Sequence, residues 1–265
     1  MRIGYLGPKG TFSHKAAKLC FPVRNLKEFK TITELILALE QKEIEQTVVP
    51  VENSIQGGVT ETIDCLMKTN EIFVIREIII EIKQTLLANK SYALDELKVI
   101  YSHPQAIAQC RDFIIKNLKG AEIINMPSTA LAAHEIGHRD FCACIASVDC
   151  AHEYNLVVLC DNIQDNSFNK TRFWVLSRQK NLNGDKMSIV LWLENKVGAL
   201  CCVLKIFSDY NINLLRIESR PATTQLGIYV FLLDFEVGDL AEKCLNSLKS
   251  KCKKIKILGR YLKEN

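Results

Sequence analysis

Along the first two-thirds of the chain, short apolar runs alternate with amphipathic stretches. Ile3–Leu6 is a strand-length apolar run, Gly7-Pro8-Lys9-Gly10 a turn, and residues 11–20 a helix that Thr11 or Ser13 can cap. Leu35, Ile36 and Leu39 share one face of a second helix over 33–41, with Thr33 as its N-cap. Residues 47–51 read as a buried strand, and 60–67, after Gly57-Gly58, as a third helix. A long β-branched extended run covers 72–87. After it come a helix over 102–117, a strand over 121–125, a helix over 128–136 and a strand over 141–146. Strands alternating with helices in this way predict an α/β domain with a mostly parallel sheet.

The rhythm changes after a polar segment, 177–186, that reads as a linker. Beyond it the pattern gives strand 187–194, helix 198–210, strands 212–218 and 226–235, helix 240–249 and strand 254–261. That order, βαββαβ, is the ferredoxin-like split motif. The chain therefore divides into a domain over 1–178, a linker over 179–186 and a second domain over 187–265.

With 265 residues, 48% hydrophobic and 24% charged, the composition excludes a disordered, collagenous or rod-like chain. Lys and Arg number 34 against 30 Asp and Glu, a net charge of +4. The excess lies beyond residue 181, much of it in Lys249, Lys251, Lys253, Lys254 and Lys256, with no aromatic residues interleaved. It reads as a solvated helix end and edge strand, not a nucleic-acid surface. No apolar run reaches the ~20 residues of a membrane span, and the chain turns at Gly7-Pro8 before a secretory signal could form. Eleven cysteines, with no C-x-x-C pair, read as small hydrophobes in a reduced, cytoplasmic chain.

Four segments hold candidate chemistry. The turn before Thr11-Phe12-Ser13 aims backbone N–H groups and a helix N-terminus at one spot, a plain turn or a carboxylate site; it matches neither dinucleotide nor P-loop spacing. Glu52-Asn53-Ser54 follow an apolar strand, where open α/β sheets bind ligands, although Asn and Ser also suit turns. Ser102-His103-Pro104-Gln105 opens a helix in which Ser102 and Gln105 can form a capping box, leaving Gln109 as the better functional candidate. Thr171-Arg172-Phe173 pairs a hydroxyl donor with a guanidinium, or else is ordinary strand content with a surface ion pair. His134-Glu135-Ile136-Gly137-His138 also spells the zincin H-E-x-x-H, but Gly137 is expected to end the helix and take His138 off its face.

Taken together and in this order, these segments resemble prephenate dehydratase. The matching pieces are Gly7-Pro8-Lys9-Gly10-Thr11-Phe12-Ser13, Pro50-Val51-Glu52-Asn53-Ser54, Ser102-His103-Pro104-Gln105 with Gln109-Cys110, and Asn169-Lys170-Thr171-Arg172-Phe173. Gly198-Ala199-Leu200 and Glu218-Ser219-Arg220-Pro221 likewise resemble an ACT regulatory module. The resemblance is to the monofunctional bacterial type, with no chorismate mutase segment expected ahead of Met1. It implies a two-lobed, periplasmic-binding-protein-like catalytic domain with substrate between the lobes, which the chain crosses at 72–87 and 163–176. It also implies conversion of prephenate to phenylpyruvate without metal or organic cofactor, and the same chemistry on arogenate stays open, as does a binding module without turnover. Thr171, Asn53, Ser54 and Gln109 are then the candidate catalytic residues. Arg172, Phe173, Thr11, Ser13, Glu52 and Ser102 are the candidate substrate ligands. Gly198, Ala199, Leu200, Asn213, Glu218, Ser219 and Arg220 are the candidates for binding phenylalanine as feedback inhibitor. The implied assembly is a homodimer or homotetramer, paired in part through the ACT module.

Overall fold

The computed structural model describes residues 1–222 and 228–264. The first lobe contains β1 (Ile3–Leu6), α1 (Phe12–Cys20), β2 (Leu26–Phe29), α2 (Ile32–Glu40), β3 (Gln46–Asn53), the two-residue β4 (Gly57–Gly58), α3 (Thr60–Lys68) and β5 (Phe73–Glu81). The second comprises β6 (Thr85–Ala88), β7 (Val99–Ser102), α4 (Pro104–Gln109), α5 (Arg111–Asn117), β8 (Glu122–Asn125), α6 (Thr129–Glu135), β9 (Cys142–Ala146), α7 (Asp149–Tyr154) and β10 (Val157–Cys160). The chain then returns to the first lobe as β11 (Lys170–Ser177).

Both sheets are mixed, where the alternation of elements predicts mostly parallel ones. The first runs β2-β1-β3-β11-β5 and the second β10-β6-β9-β7-β8. β5 leaves the first lobe and β11 re-enters it beside β5 and β3, so β11 pairs antiparallel with both. The extended run 72–87 is two strands of two different sheets, separated at 82–84.

Two helix starts also differ from expectation. Thr31, not Thr33, caps α2 through the Glu34 amide, and the Thr33 hydroxyl instead donates to Glu61. Ser102 ends β7, and the α4 cap is His103, whose Nδ1 accepts from the Gln105 amide. Cys110, at φ −119° and ψ 24°, divides the expected single helix into α4 and α5.

Residues 178–185 form neither helix nor strand. After them come β12 (Lys186–Trp192), α8 (Ala199–Asp209), β13 (Leu214–Pro221), β14 (Tyr229–Glu236), α9 (Ala241–Lys249) and β15 (Lys254–Tyr261). These strands form an antiparallel sheet, β13-β14-β12-β15, in the expected βαββαβ order. The expected first residue of its third strand, Leu226, lies outside the described residues. Val203 and Phe207 of α8 and Leu245 and Leu248 of α9 cover one face of the sheet. The other face lies against the first lobe, where Val190, Leu232 and Leu258 share a core with Trp174 and Leu176. Each such apolar side chain is worth about 1.5–3 kcal/mol when buried, so the seam between the domains is built like an interior.

Candidate active site

Strand parity decides what β11 offers to each side. Trp174 and Leu176 point toward the C-terminal sheet, while Phe173 and Val175 belong to the opposite core with Tyr5 and Ile78. Thr171 shares the parity of Phe173. On β3 a bulge changes the count: Phe173 stands opposite Pro50, Arg172 opposite Glu52 and Thr171 opposite Asn53, so Val51 is the extra residue. The bulge brings Asn53 back to the face of Pro50 and Thr171 and sends Glu52 to the other face.

On that face, between the lobes, is a cleft of about 310 Å³. The first lobe supplies Thr11, Phe12 and Ser13 at the start of α1, with Asn53, Thr171 and Phe173 from the sheet. The second supplies Gln84, His103, Gln105, Ser128 and Thr129. Among the described residues no Lys, Arg, Asp or Glu lines it. Thr11 caps α1 through the His14 amide and donates its own proton to the carbonyls of Leu6 and Pro8, at 3.1 and 2.9 Å. The amides of Phe12 and Ser13, first in the helix, have no helical acceptor, so the cleft's positive character comes from the backbone.

The hydrogen bonds fix the chemistry of the Asn53–Thr171 pair. Asn53 Oδ1 accepts from the amides of Ile55 and Gln56, both at 3.1 Å, which sets the orientation of its carboxamide. Its Nδ2 donates to Asn169 Oδ1 at 2.7 Å, to the Lys170 carbonyl at 3.2 Å and to Thr171 Oγ1 at 3.0 Å. Thr171 Oγ1 thus receives a proton from Asn53 and keeps its own proton to donate.

Beside the cleft lies His14, buried under the turn 7–10 and stacked on Tyr5. Its Nδ1 accepts from the Gly10 amide at 3.1 Å. Burial, helped by Lys18, pulls its pKa below the ordinary histidine value and outweighs Glu153, whose carboxylate stands 3.7 Å from the same nitrogen. A ring that accepts at Nδ1 is neutral, so the contact with Glu153 is not an ion pair. Across the lobes, Ser147 Oγ donates to the Gly10 carbonyl at 2.8 Å and Lys18 pairs with Asp149 at 3.0 Å, tying α7 to the turn.

Three of the expected substrate ligands are elsewhere. Arg172 alternates away from the cleft and is buried between the first lobe and the C-terminal sheet. Its Nη1 lies 2.6 Å from Asp234 and 3.1 Å from Glu77, and its Nη2 lies 3.0 Å from Glu52 without hydrogen-bond geometry. Burial works against its charge, but Asp234 and Glu77 prevail and hold it more firmly protonated than usual. Glu52 follows it by the bulge and also faces Arg216, at 3.6 Å. Ser102 is fully buried, with its hydroxyl given to the Ile145 carbonyl at 2.6 Å. Two expected catalytic residues do not line the cleft. The Ser54 hydroxyl donates to the Phe168 carbonyl and accepts from the Lys170 amide, holding 54 to 168–170. Gln109 accepts from Gln84 at 3.2 Å and lines a second cavity of about 270 Å³, which shares Gln56 and Gln105 with the cleft. The sequence reading missed Gln84, Ser128 and Thr129; Ser128 was legible as a helix cap, but its place in the cleft was not.

The regulatory candidates do not form one cluster within the chain. Gly198, at φ +80°, begins α8, where Ala199 and Leu200 line a small pocket of about 140 Å³. Asn213 lies past the other end of that helix, in an open groove of about 1000 Å³. Glu218 and Arg220 share a strand face turned toward the first lobe, with Arg220 bound to both oxygens of Asp64 at 3.0 and 2.8 Å; Ser219, between them, is exposed. The H-E-x-x-H segment is divided too: α6 ends at Glu135, and His138 lies in the 3-10 turn that follows.

The prephenate dehydratase family model matches residues 3–181 and the ACT domain model residues 187–250. A prephenate dehydratase from Bacillus subtilis is 36% identical, with 98% of this chain and 98% of the relative aligned. A crystal structure of prephenate dehydratase from Arthrobacter aurescens in complex with L-Phe superposes with a TM-score of 0.90 at 32% identity, covering 99% of this chain and 90% of that one. A structure described as GqqA, a novel type of quorum quenching acylase, superposes at 0.89 with 25% identity, covering 98% and 97%.

Proposed function

The chain belongs to the prephenate dehydratase family and carries an ACT domain at its C-terminal end, and from that premise we propose how its cleft works. It is a carbon–oxygen lyase that turns prephenate into phenylpyruvate, water and carbon dioxide, a step of phenylalanine biosynthesis. We place the catalytic domain at 1–178, the connection at 179–186 and the ACT domain at 187–265.

In this reaction the ring carbon loses its hydroxyl oxygen, and the ring carboxylate leaves as carbon dioxide. The electron pair of the broken carbon–carbon bond enters the ring and makes it aromatic. The departing hydroxide takes one proton to become water. Aromatisation supplies the driving force, so the cleft has to orient a dianion and meet the leaving oxygen with a donor. The Asn53–Thr171 pair carries this reading, since its hydrogen bonding leaves the Thr171 proton available on the cleft side. Phe173 forms apolar wall beside it, and the α1 start with Thr11 and Ser13 offers a site for one carboxylate. Gln105, Ser128 and Thr129 on the facing lobe offer neutral donors for the other. A hydrolase reading, as for the acylase-described neighbour, would need an activated nucleophile. Among the described residues no cleft hydroxyl is hydrogen-bonded to a histidine side chain.

The test is ultraviolet detection of phenylpyruvate from prephenate, repeated with arogenate and its own product. Thr171→Ala is expected to lower kcat by at least ~10²-fold, the scale for loss of one preorganised donor. Near-normal turnover by a folded Thr171→Ala protein removes the residue from this role.

The ACT domain is the seat of feedback inhibition by phenylalanine. The pocket at the start of α8 and the groove at Asn213 stand at opposite ends of one helix, so a single small ligand touches both only if a second copy brings its groove to this pocket. The enzyme then works as a homo-oligomer in the cytoplasm, paired through its ACT domains. A phenylalanine-dependent rise in assembly mass, or phenylalanine binding that weakens on dilution to monomer, checks this arrangement.

A further inference from the structure

We propose that Asn169, just ahead of β11, is a positioning residue that sets the direction in which Thr171 donates, acting through Asn53. The inference deepens the dehydratase reading and rests on it. Asn169 is 1% exposed and lies among the strands that cross between the lobes, its carbonyl accepting from the Ile82 amide at 2.8 Å. Its Oδ1 takes the shortest of the hydrogen bonds from Asn53 Nδ2, at 2.7 Å. An amide nitrogen has two protons. With one held by Asn169, the other serves the Lys170 carbonyl and Thr171 Oγ1 on the opposite side. Take away the Asn169 oxygen and that first proton loses its acceptor. The Ile55 and Gln56 amides still hold Oδ1, but the nitrogen can tilt, and the Thr171 hydroxyl is met less squarely by the donor that turns its own proton outward.

A purely structural asparagine at this depth would be expected to satisfy both ends of its carboxamide. Asn169 does not. Its Nδ2 has no acceptor among the described residues, and it lines the 270 Å³ chamber together with Gln109, whose Nε2 is also without an acceptor. The side chain is thus held by its oxygen toward Asn53, and packing of the nitrogen does not account for its placement.

The experiment begins with wild-type turnover of prephenate, because failure there removes the dehydratase reading and leaves this one without a reaction to act on. With the wild type active, Asn169→Leu is expected to lower kcat by roughly 10–100-fold while KM stays within about threefold, the pattern for a misdirected donor. Asn169→Asp restores an oxygen acceptor for Asn53. It should return kcat to within about fivefold of wild type but raise KM, since a carboxylate near the cleft repels a dianion. In a Thr171→Ala background, Asn169→Leu should change kcat by less than about twofold, because the two act as one unit. Circular dichroism and thermal midpoints confirm that each protein is folded. Wild-type kcat in Asn169→Leu, equal losses in the Leu and Asp variants, or full additivity with Thr171→Ala each overturn the proposal; should Asn169→Leu fail to fold, the Asp variant and its cycle with Thr171→Ala decide it.

Discussion

A buried histidine beside the cleft makes this protein sensitive to acid at one residue. His14 has a folded-state pKa below its ordinary value because burial, then Lys18, disfavour the imidazolium. The unfolded chain therefore binds a proton that the folded chain resists, and stability falls as pH drops below about 6.5, toward the lower folded value. His14→Gln removes the titration, so its thermal midpoint should change less than that of wild type between about pH 7 and pH 5.5. Parallel curves for the two proteins would show that His14 is not the group responsible. Two buried thiols are the opposite case near neutral pH: burial pushes Cys150 up to about 11 and Cys110 up to about 12, so both stay protonated.

Elements were legible where periodicity was strong and obscure where geometry depended on a partner. The C-terminal βαββαβ order was readable because its apolar faces are regular and its connections polar. β2 escaped notice because Leu26 and Phe29 flank two exposed charged residues, a pattern with no strand signature. The division of α4 from α5 falls at Cys110, without the Gly or Pro that usually marks such a break. Thr171 and Asn53 could be singled out as motif residues, yet the bulge that puts them on one face, at Val51, has no sequence mark. Without it, alternation would send Asn53 and Glu52 to each other's faces. Arg172 looked like a ligand because a guanidinium beside a hydroxyl suits a carboxylate, and only strand parity shows otherwise. Close strand approach left a clearer mark, as a glycine. A Cβ on Gly259 of β15 would stand 2.1 Å from the Val74 carbonyl of β5. Gly259→Ala should therefore force the two strands apart and destabilise the protein by ~1–3 kcal/mol, read from chemical denaturation, as for other overpacked sites. An unchanged midpoint would mean that the seam between the domains yields without loss.

At the scale of the whole molecule, the residue next to Thr171 joins the cleft to the ACT sheet. Arg172 reaches Glu77 of its own lobe and Asp234 of β14, while Lys186 of β12 lies 2.6 Å from the same Glu77 carboxylate and Ser188 2.6 Å from Asp234. The second contact, through Glu52, Arg216 and Glu218, ends on the β3–β4 hairpin, where a Cβ on Gly58 would stand 2.5 Å from the Glu218 carboxylate. Any shift of β13 or β14 on binding phenylalanine must strain or repack these ion pairs, since buried charges cannot be left alone cheaply. Arg172→Ala, which strands Glu77 and Asp234, should cost about 3–5 kcal/mol of stability and is a poor probe of regulation. Arg172→Lys is the better one. It keeps the positive charge, but its single nitrogen cannot meet Asp234 and Glu77 and also face Glu52, as the two terminal nitrogens of the planar fork do. Turnover should fall by less than about tenfold while phenylalanine inhibition weakens by at least about fivefold, the lower end of a typical coupling free energy. The measurement is a phenylalanine inhibition curve at fixed prephenate, with phenylalanine affinity determined separately by calorimetry. Unaltered affinity with weakened inhibition places the coupling in this seam; unaltered inhibition shows that the two domains communicate by another route.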